Sequence, residues 1–217
     1  MRLSVDESAF FSSVKAGDLS SVIQALRSEP YLVNFQDEIG KTPLHLAVEN
    51  GLLEMVKVLI ANDADFDIAD TEGNAPIHSA IERCLDSNGA YRKNFMEIAN
   101  TLFESGADIN CMDTAGFSFL HRATVMGDLE IMSFLIKKGA DVNGRSRSGY
   151  TPLHWGLCAN IEERDIQKHL GALEFVIKNG ADVNATTTDG KTSLIVASEN
   201  NPGRPQLRKL MQKYGAK

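Results

Sequence analysis

A tetrapeptide, Thr42-Pro43-Leu44-His45, returns in recognisable form along the whole chain. It becomes Ala75-Pro76-Ile77-His78, Ser118-Phe119-Leu120-His121 and Thr151-Pro152-Leu153-His154, and ends as a worn Thr192-Ser193-Leu194-Ile195. A glycine stands two residues before each copy: Gly40, Gly73, Gly116, Gly149 and Gly190. Their spacings of 33, 43, 33 and 41 define a 33-residue period, with extra residues inserted in two of the units. A second motif keeps the same phase: Gly106-Ala107-Asp108-Ile109-Asn110, Gly139-Ala140-Asp141-Val142-Asn143 and Gly180-Ala181-Asp182-Val183-Asn184. Asp63-Ala64-Asp65-Phe66-Asp67 is a weaker copy.

Residues 37–69 show how one unit is built. Gly40 suits a turn that needs positive φ. Thr42 is a good N-cap, and Pro43 sits at the first helical position, where its missing N–H costs nothing. Leu44, Ala47 and Val48 share one face of a short helix that Asn50-Gly51 ends. Leu52, Met55, Val56, Leu59 and Ile60 form the stripe of a second helix. Neither helix can bury its stripe alone, so the units must stack. Ala47, Ala80, Ala123, Gly156 and Ala197 recur at one position, which implies close helix–helix approach there. Gly156 is expected to weaken its helix by about 1 kcal/mol relative to alanine.

The pattern closely resembles the ankyrin-repeat family. The resemblance implies an all-α solenoid and a single domain over 1–217. An N-terminal cap at about 6–36 and a C-terminal cap at about 187–217 would flank repeats at about 37–69, 70–112, 113–145 and 146–186. Phe10, Phe11 and Val14, then Leu19, Val22, Ile23 and Leu26, mark two helices of the first cap. Leu207, Leu210 and Met211 would be the inward face of the last. The departures are Ala75 for the capping threonine, Phe119 and Ser193 for proline, and Ile195 for histidine.

Twenty-nine acidic against 22 basic residues leave a net charge of −7, which argues against a phosphate-binding surface. Cys84, Cys111 and Cys158 are odd in number and far apart, which fits a reducing, cytoplasmic setting. No apolar run approaches a membrane span, and acids arrive too early in the chain for a secretory signal. The chain is therefore expected to be a cytoplasmic monomer that binds neither nucleic acid nor membrane.

Residue types that carry chemistry are present without the spacing that chemistry needs. His45, His78, His121 and His154 are one structural position repeated, so their rings form a row and do not converge on a metal. The family resemblance implies that each bonds neighbouring turn backbone. His169 stands alone in an insert and is expected to be solvated. His154 and Cys158 are four apart on one helix, but no orienting group or oxyanion site accompanies them. Gly40-Lys41-Thr42 and Gly190-Lys191-Thr192 resemble the end of a phosphate loop, yet Phe35 and Ala185 stand where its first glycine belongs. No catalytic residue, cofactor or metal is expected.

Function is therefore expected on the surface. Family resemblance places partner binding on the concave face, at residues flanking each turn glycine and ending each first helix. Carried onto this chain, the early repeats offer Glu38, Lys41 and Glu72, an acidic and polar set. The later repeats offer Phe117, Val125, Met126, Arg147 and Tyr150, with Arg122 and Trp155 one position inside. Aromatic residues, methionine and arginine are enriched at interface hot spots. Phe117 and Tyr150 are expected to be the firmest members, because turn tips have little core to hide in. The inserts at about 84–93 and 160–169 fall on the opposite edge. The function read here is a non-enzymatic protein-interaction module; the alternative is an effector or inhibitor that masks a target's functional site. Restoring the missing cap with Ala75→Thr is expected to stabilise the protein by about 1 kcal/mol. An unchanged or lowered urea midpoint would contradict this.

Overall fold

The computed structural model describes residues 6–86, 89–160 and 162–217. Among these, the chain is all-α: short helices alternate with glycine turns in repeating pairs, and no β-strand forms beyond two isolated bridges. It falls into two compact units, Met1–Asp108 and Ile109–Lys217.

The first unit holds three helix pairs: α1 (Glu7–Ala16) with α2 (Leu19–Ser28), α3 (Pro43–Glu49) with α4 (Leu53–Ala61), and α5 (Pro76–Asp86) with α6 (Gly89–Ser105). The first helices α1, α3 and α5 pack side by side, and the second helices α2, α4 and α6 form a row behind them. The second unit repeats the plan with α7 (Phe119–Met126), α8 (Leu129–Lys137), α9 (Pro152–Leu157), α10 (Ile166–Lys178), α11 (Ser193–Asn200) and α12 (Pro205–Lys213). Here α7, α9 and α11 form the front row, while α10 backs α9 and touches α7 and α12. The insert of the first unit goes into longer helices: α5 has 11 residues and α6 has 17, against 7 and 9 in α3 and α4. Residues 87 and 88 of that insert lie outside the described residues. In the second unit, a 3-10 turn at Glu163–Asp165 leads into α10.

The first helix α3 starts the way the sequence requires. In α3, Thr42 Oγ1 accepts from the N–H of His45, while the N–H of Thr42 donates to His45 Nδ1 at 3.0 Å. The buried stripes are those expected, with Leu44, Ala47, Val48, Val56 and Leu59 fully enclosed. Burying a leucine or valine of this kind contributes about 1.5–3 kcal/mol. Phe119, which stands in place of proline, instead adds a buried ring to the core of the second unit. Ser193 uses its hydroxyl to donate to the carbonyl of Val183.

The second motif is a cross-repeat clamp. Asn143 Oδ1 accepts the N–H of Asp182 at 2.8 Å, and its Nδ2 donates to the carbonyl of Gly180 at 2.9 Å. Asn34 grips Asp65 and Asp63 in the same way, and Asn184 grips Lys217 and Gly215. Asn110 accepts from the N–H of Asp141. The aspartate of the motif folds its own loop: Asp141 and Asp182 each accept the N–H two residues on. Asp63, standing where the other copies have glycine, has φ of 62°, the left-handed region.

Gly156 is not the weak point that helix propensity suggests. A Cβ there would lie 2.7 Å from Leu173 Cδ2 and 2.8 Å from Thr124 Cγ2, so the position is glycine because α7 and α10 close on it. Gly156→Ala therefore gains about 1 kcal/mol of helix propensity but overpacks by about 1–3 kcal/mol. Its urea midpoint is expected to fall; a rise would show that the neighbours yield freely.

Candidate functional site

The turn that precedes each first helix is braced from inside. In the first unit, Asp37 Oδ1 accepts the N–H of Lys41 at 2.8 Å and of Ile39 at 3.1 Å, and Asp70 does the same for Asn74 and Glu72. In the second, Asp113, Ser146 and Thr187 hold the N–H of Phe117, Tyr150 and Lys191. Successive turns are tied together, since Thr71 N–H donates to the carbonyl of Ile39 and Thr188 N–H to that of Ser148. Gly149 is required here: a Cβ would sit 2.7 Å from the Thr188 nitrogen.

These braced turns carry the candidate binding residues of the second unit. The rings of Phe117 and Trp155 stack with centroids 4.0 Å apart and planes at 22°. Tyr150 meets Trp155 edge-on, at 6.2 Å and 88°. All three are half-buried, and Phe117 and Tyr150 each lie against the indole. Burial pushes the phenol of Tyr150 up, so it stays a neutral hydrogen-bonding group. Arg147 is exposed, and its stem crosses the turn at Gly116. Arg122 is committed to structure: its Nη2 and Nε reach Asp113 Oδ2 at 2.6 and 2.9 Å. Burial pushes the Asp113 carboxyl up, but the Phe117 amide and the Arg122 guanidinium outweigh it and hold it below its ordinary range.

Val125 and Met126 fall elsewhere. With Ala159, Glu162, Lys168 and His169 they line a 350 Å³ groove beside the second insert, where Met126 is 46% exposed. In the first unit, Glu38 and Glu72 are exposed on turn tips, whereas Lys41 is bound to Glu49 at 2.5 Å. Ile39, one of the positions that flank the turn glycine, is 53% exposed on its turn.

The histidines behave as backbone clamps. At His45 and His121, Nδ1 accepts a backbone N–H, so Nε2 must carry the proton that it gives to the carbonyl of Asn74 or Tyr150 at 2.9 or 2.8 Å. His154 keeps the first half of this arrangement, but its buried Nε2 makes no hydrogen bond; the Ala185 carbonyl faces the ring without reaching bonding geometry. His169 corrects the expectation of a solvated side chain. It is 3% exposed, and its Nε2 donates to the carbonyl of Gly156 at 2.9 Å, which pins the insert's helix to α9. Burial pushes the Cys158 thiol up to about 11, so at neutral pH it is not the thiolate a nucleophile needs. Among the described residues, no group of three His, Cys, Asp or Glu side chains could hold a metal ion, and no helix is long and apolar enough to cross a membrane.

The chain belongs to the ankyrin-repeat family: the family model for ankyrin repeats in three copies matches residues 10–89 and 87–184. Its relatives include human NF-kappa-B inhibitor alpha, 32% identical over 111 residues that make up 51% of this chain and 33% of that protein. Palmitoyltransferase AKR1 of Lachancea kluyveri is 33% identical over 140 residues, 51% of this chain and 19% of that enzyme. A Caenorhabditis elegans homologue of transient receptor potential cation channel subfamily A member 1 is 28% identical over 132 residues, 54% of this chain and 11% of the channel. The matches thus span a third or less of each relative's length.

Burial lowers the pKa of His45, His121, His154 and His169 below the ordinary 6.5. The unfolded chain takes up protons near 6.5 while the folded chain does not, so stability is complete above that pH and falls as pH drops through it. The urea midpoint is expected to be clearly lower at about pH 5.5 than at about pH 7.5. Equal midpoints would mean that the rings accept protons without losing their bonds.

Proposed function

We propose that this chain is a non-enzymatic protein-interaction module that binds partner proteins through its turn tips and the exposed sides of its first helices. Family membership supports interaction as the general role. The single observation that carries the finer reading is the Phe117–Trp155–Tyr150 cluster, three aromatic rings held half-exposed beside Arg147. Preformed aromatic surface with little side-chain entropy left to lose is what interface hot spots use. A second reading, an inhibitor that masks a target's functional site, is favoured by the 32% identity to NF-kappa-B inhibitor alpha over 111 residues. In both readings the protein acts as a monomer in the cytoplasm and as one domain.

The test compares pull-downs by the wild-type chain and by a Phe117→Glu/Tyr150→Glu variant whose fold is checked by circular dichroism. Partners captured by the wild type and lost by the variant are expected. Partners retained equally by both would remove the aromatic cluster from the binding surface. An activity assay on a captured partner separates the two readings, since only an inhibitor lowers that activity.

A further inference from the structure

The first unit carries a groove that uses none of the residues of the aromatic cluster. It runs between α1 and the turn at 35–39 and has a volume of about 700 Å³. Its apolar lining is Phe11 and Phe35, which meet edge-to-face at 6.2 Å, together with Ile39. Phe11 is 8% exposed and Ile39 53%, so a fixed aromatic floor lies beside an unburied aliphatic lip.

The charge around this floor is mostly negative. Glu7, Asp37 and Glu38 line the groove against Lys15. The next lysine along the turn, Lys41, is bound to Glu49 at 2.5 Å, and burial only partly offsets the pull of that carboxylate on its ammonium. Asp37 spends one oxygen on the turn's own amides, whereas Glu38 stands exposed. The groove sits in the more acidic part of the chain. The unit Met1–Asp108 has 18 acidic and 8 basic residues, a net charge of −10, while Ile109–Lys217 has 11 acidic and 14 basic, a net charge of +3.

An occupant must satisfy both features. A phosphate-bearing ligand would be repelled by the lip. A wholly apolar segment would fill the floor but strip water from carboxylates without giving them partners. A basic segment with a bulky apolar side chain fills the floor and pairs the rim. We propose that this groove binds a short lysine- and arginine-rich segment of a partner protein, with one large aliphatic side chain seated on Phe11 and Phe35 beside Ile39. The acidic surface speeds the encounter, and the aromatic floor selects which basic segment stays.

Fluorescence anisotropy of a fluorescein-labelled Lys/Arg-rich peptide with a central leucine, titrated with the full chain at near-physiological salt, tests this. Saturable binding is expected, about tenfold weaker for Glu38→Lys and for Ile39→Ser, and about tenfold weaker for the same peptide with serine replacing leucine. The Phe117→Glu/Tyr150→Glu variant is expected to bind the peptide like the wild type. Circular dichroism confirms that each variant is folded. Absent binding overturns the proposal, as does equal affinity for the serine peptide, which would mean that bulk acidity alone attracts it. Unchanged affinity in both groove variants, or loss in the aromatic-cluster variant, would place the peptide elsewhere and overturn it too.

Discussion

A buried, neutral imidazole in the first turn of a helix ties a repeat to the one that follows, at His45 and again at His121. His45 and His121 each accept a backbone N–H at their own helix start and donate to the carbonyl that ends the next turn. That carbonyl already accepts the amide that closes its own turn, so ring and turn are locked together. The asparagine clamps repeat the device at the far end of each unit, where the side chains of Asn34, Asn143 and Asn184 bridge to the next loop. A helix of six to nine residues is too short to persist alone, so these links and the shared core determine whether the repeat exists at all. His154 breaks the series, because its Nε2 is buried without a hydrogen bond after the second insert.

The proposed binding surface rests on this rigidity. Turns held by Asp37, Asp70, Asp113, Ser146 and Thr187 present their side chains on a fixed backbone. Ordering loops on association costs free energy, and a braced turn has already met that cost during folding. The two units then differ in what they display: stacked rings and exposed arginine on one, an acidic-rimmed apolar groove on the other. The same scaffold thus displays different surface chemistry through a few side chains per turn.

Much of the fold was legible in the sequence because the constraints repeat. Five copies of one capping motif in phase with a glycine leave little freedom in where helices begin. What was not legible depends on contacts between residues far apart in sequence. His169 reads as a lone polar residue in a charged insert, and only the approach of α10 to Gly156 buries it. Gly156 reads as a helix defect until Leu173 and Thr124 are seen to fill the space its side chain would take. Spacing groups Phe117 with Trp155, but the stacking of their rings depends on side-chain rotamers that spacing does not give. Asn34 performs the clamp from a 3-10 helix that lacks the rest of the motif, which hid its role.

The claim that repeats are coupled through these clamps is tested most directly by hydrogen-exchange mass spectrometry on the wild type and on Asn143→Ala. The account predicts faster exchange across the 180–184 loop and into the end of α10, although the substitution lies one repeat away. Faster exchange confined to the loop around residue 143 itself, with the next repeat as protected as before, would contradict it.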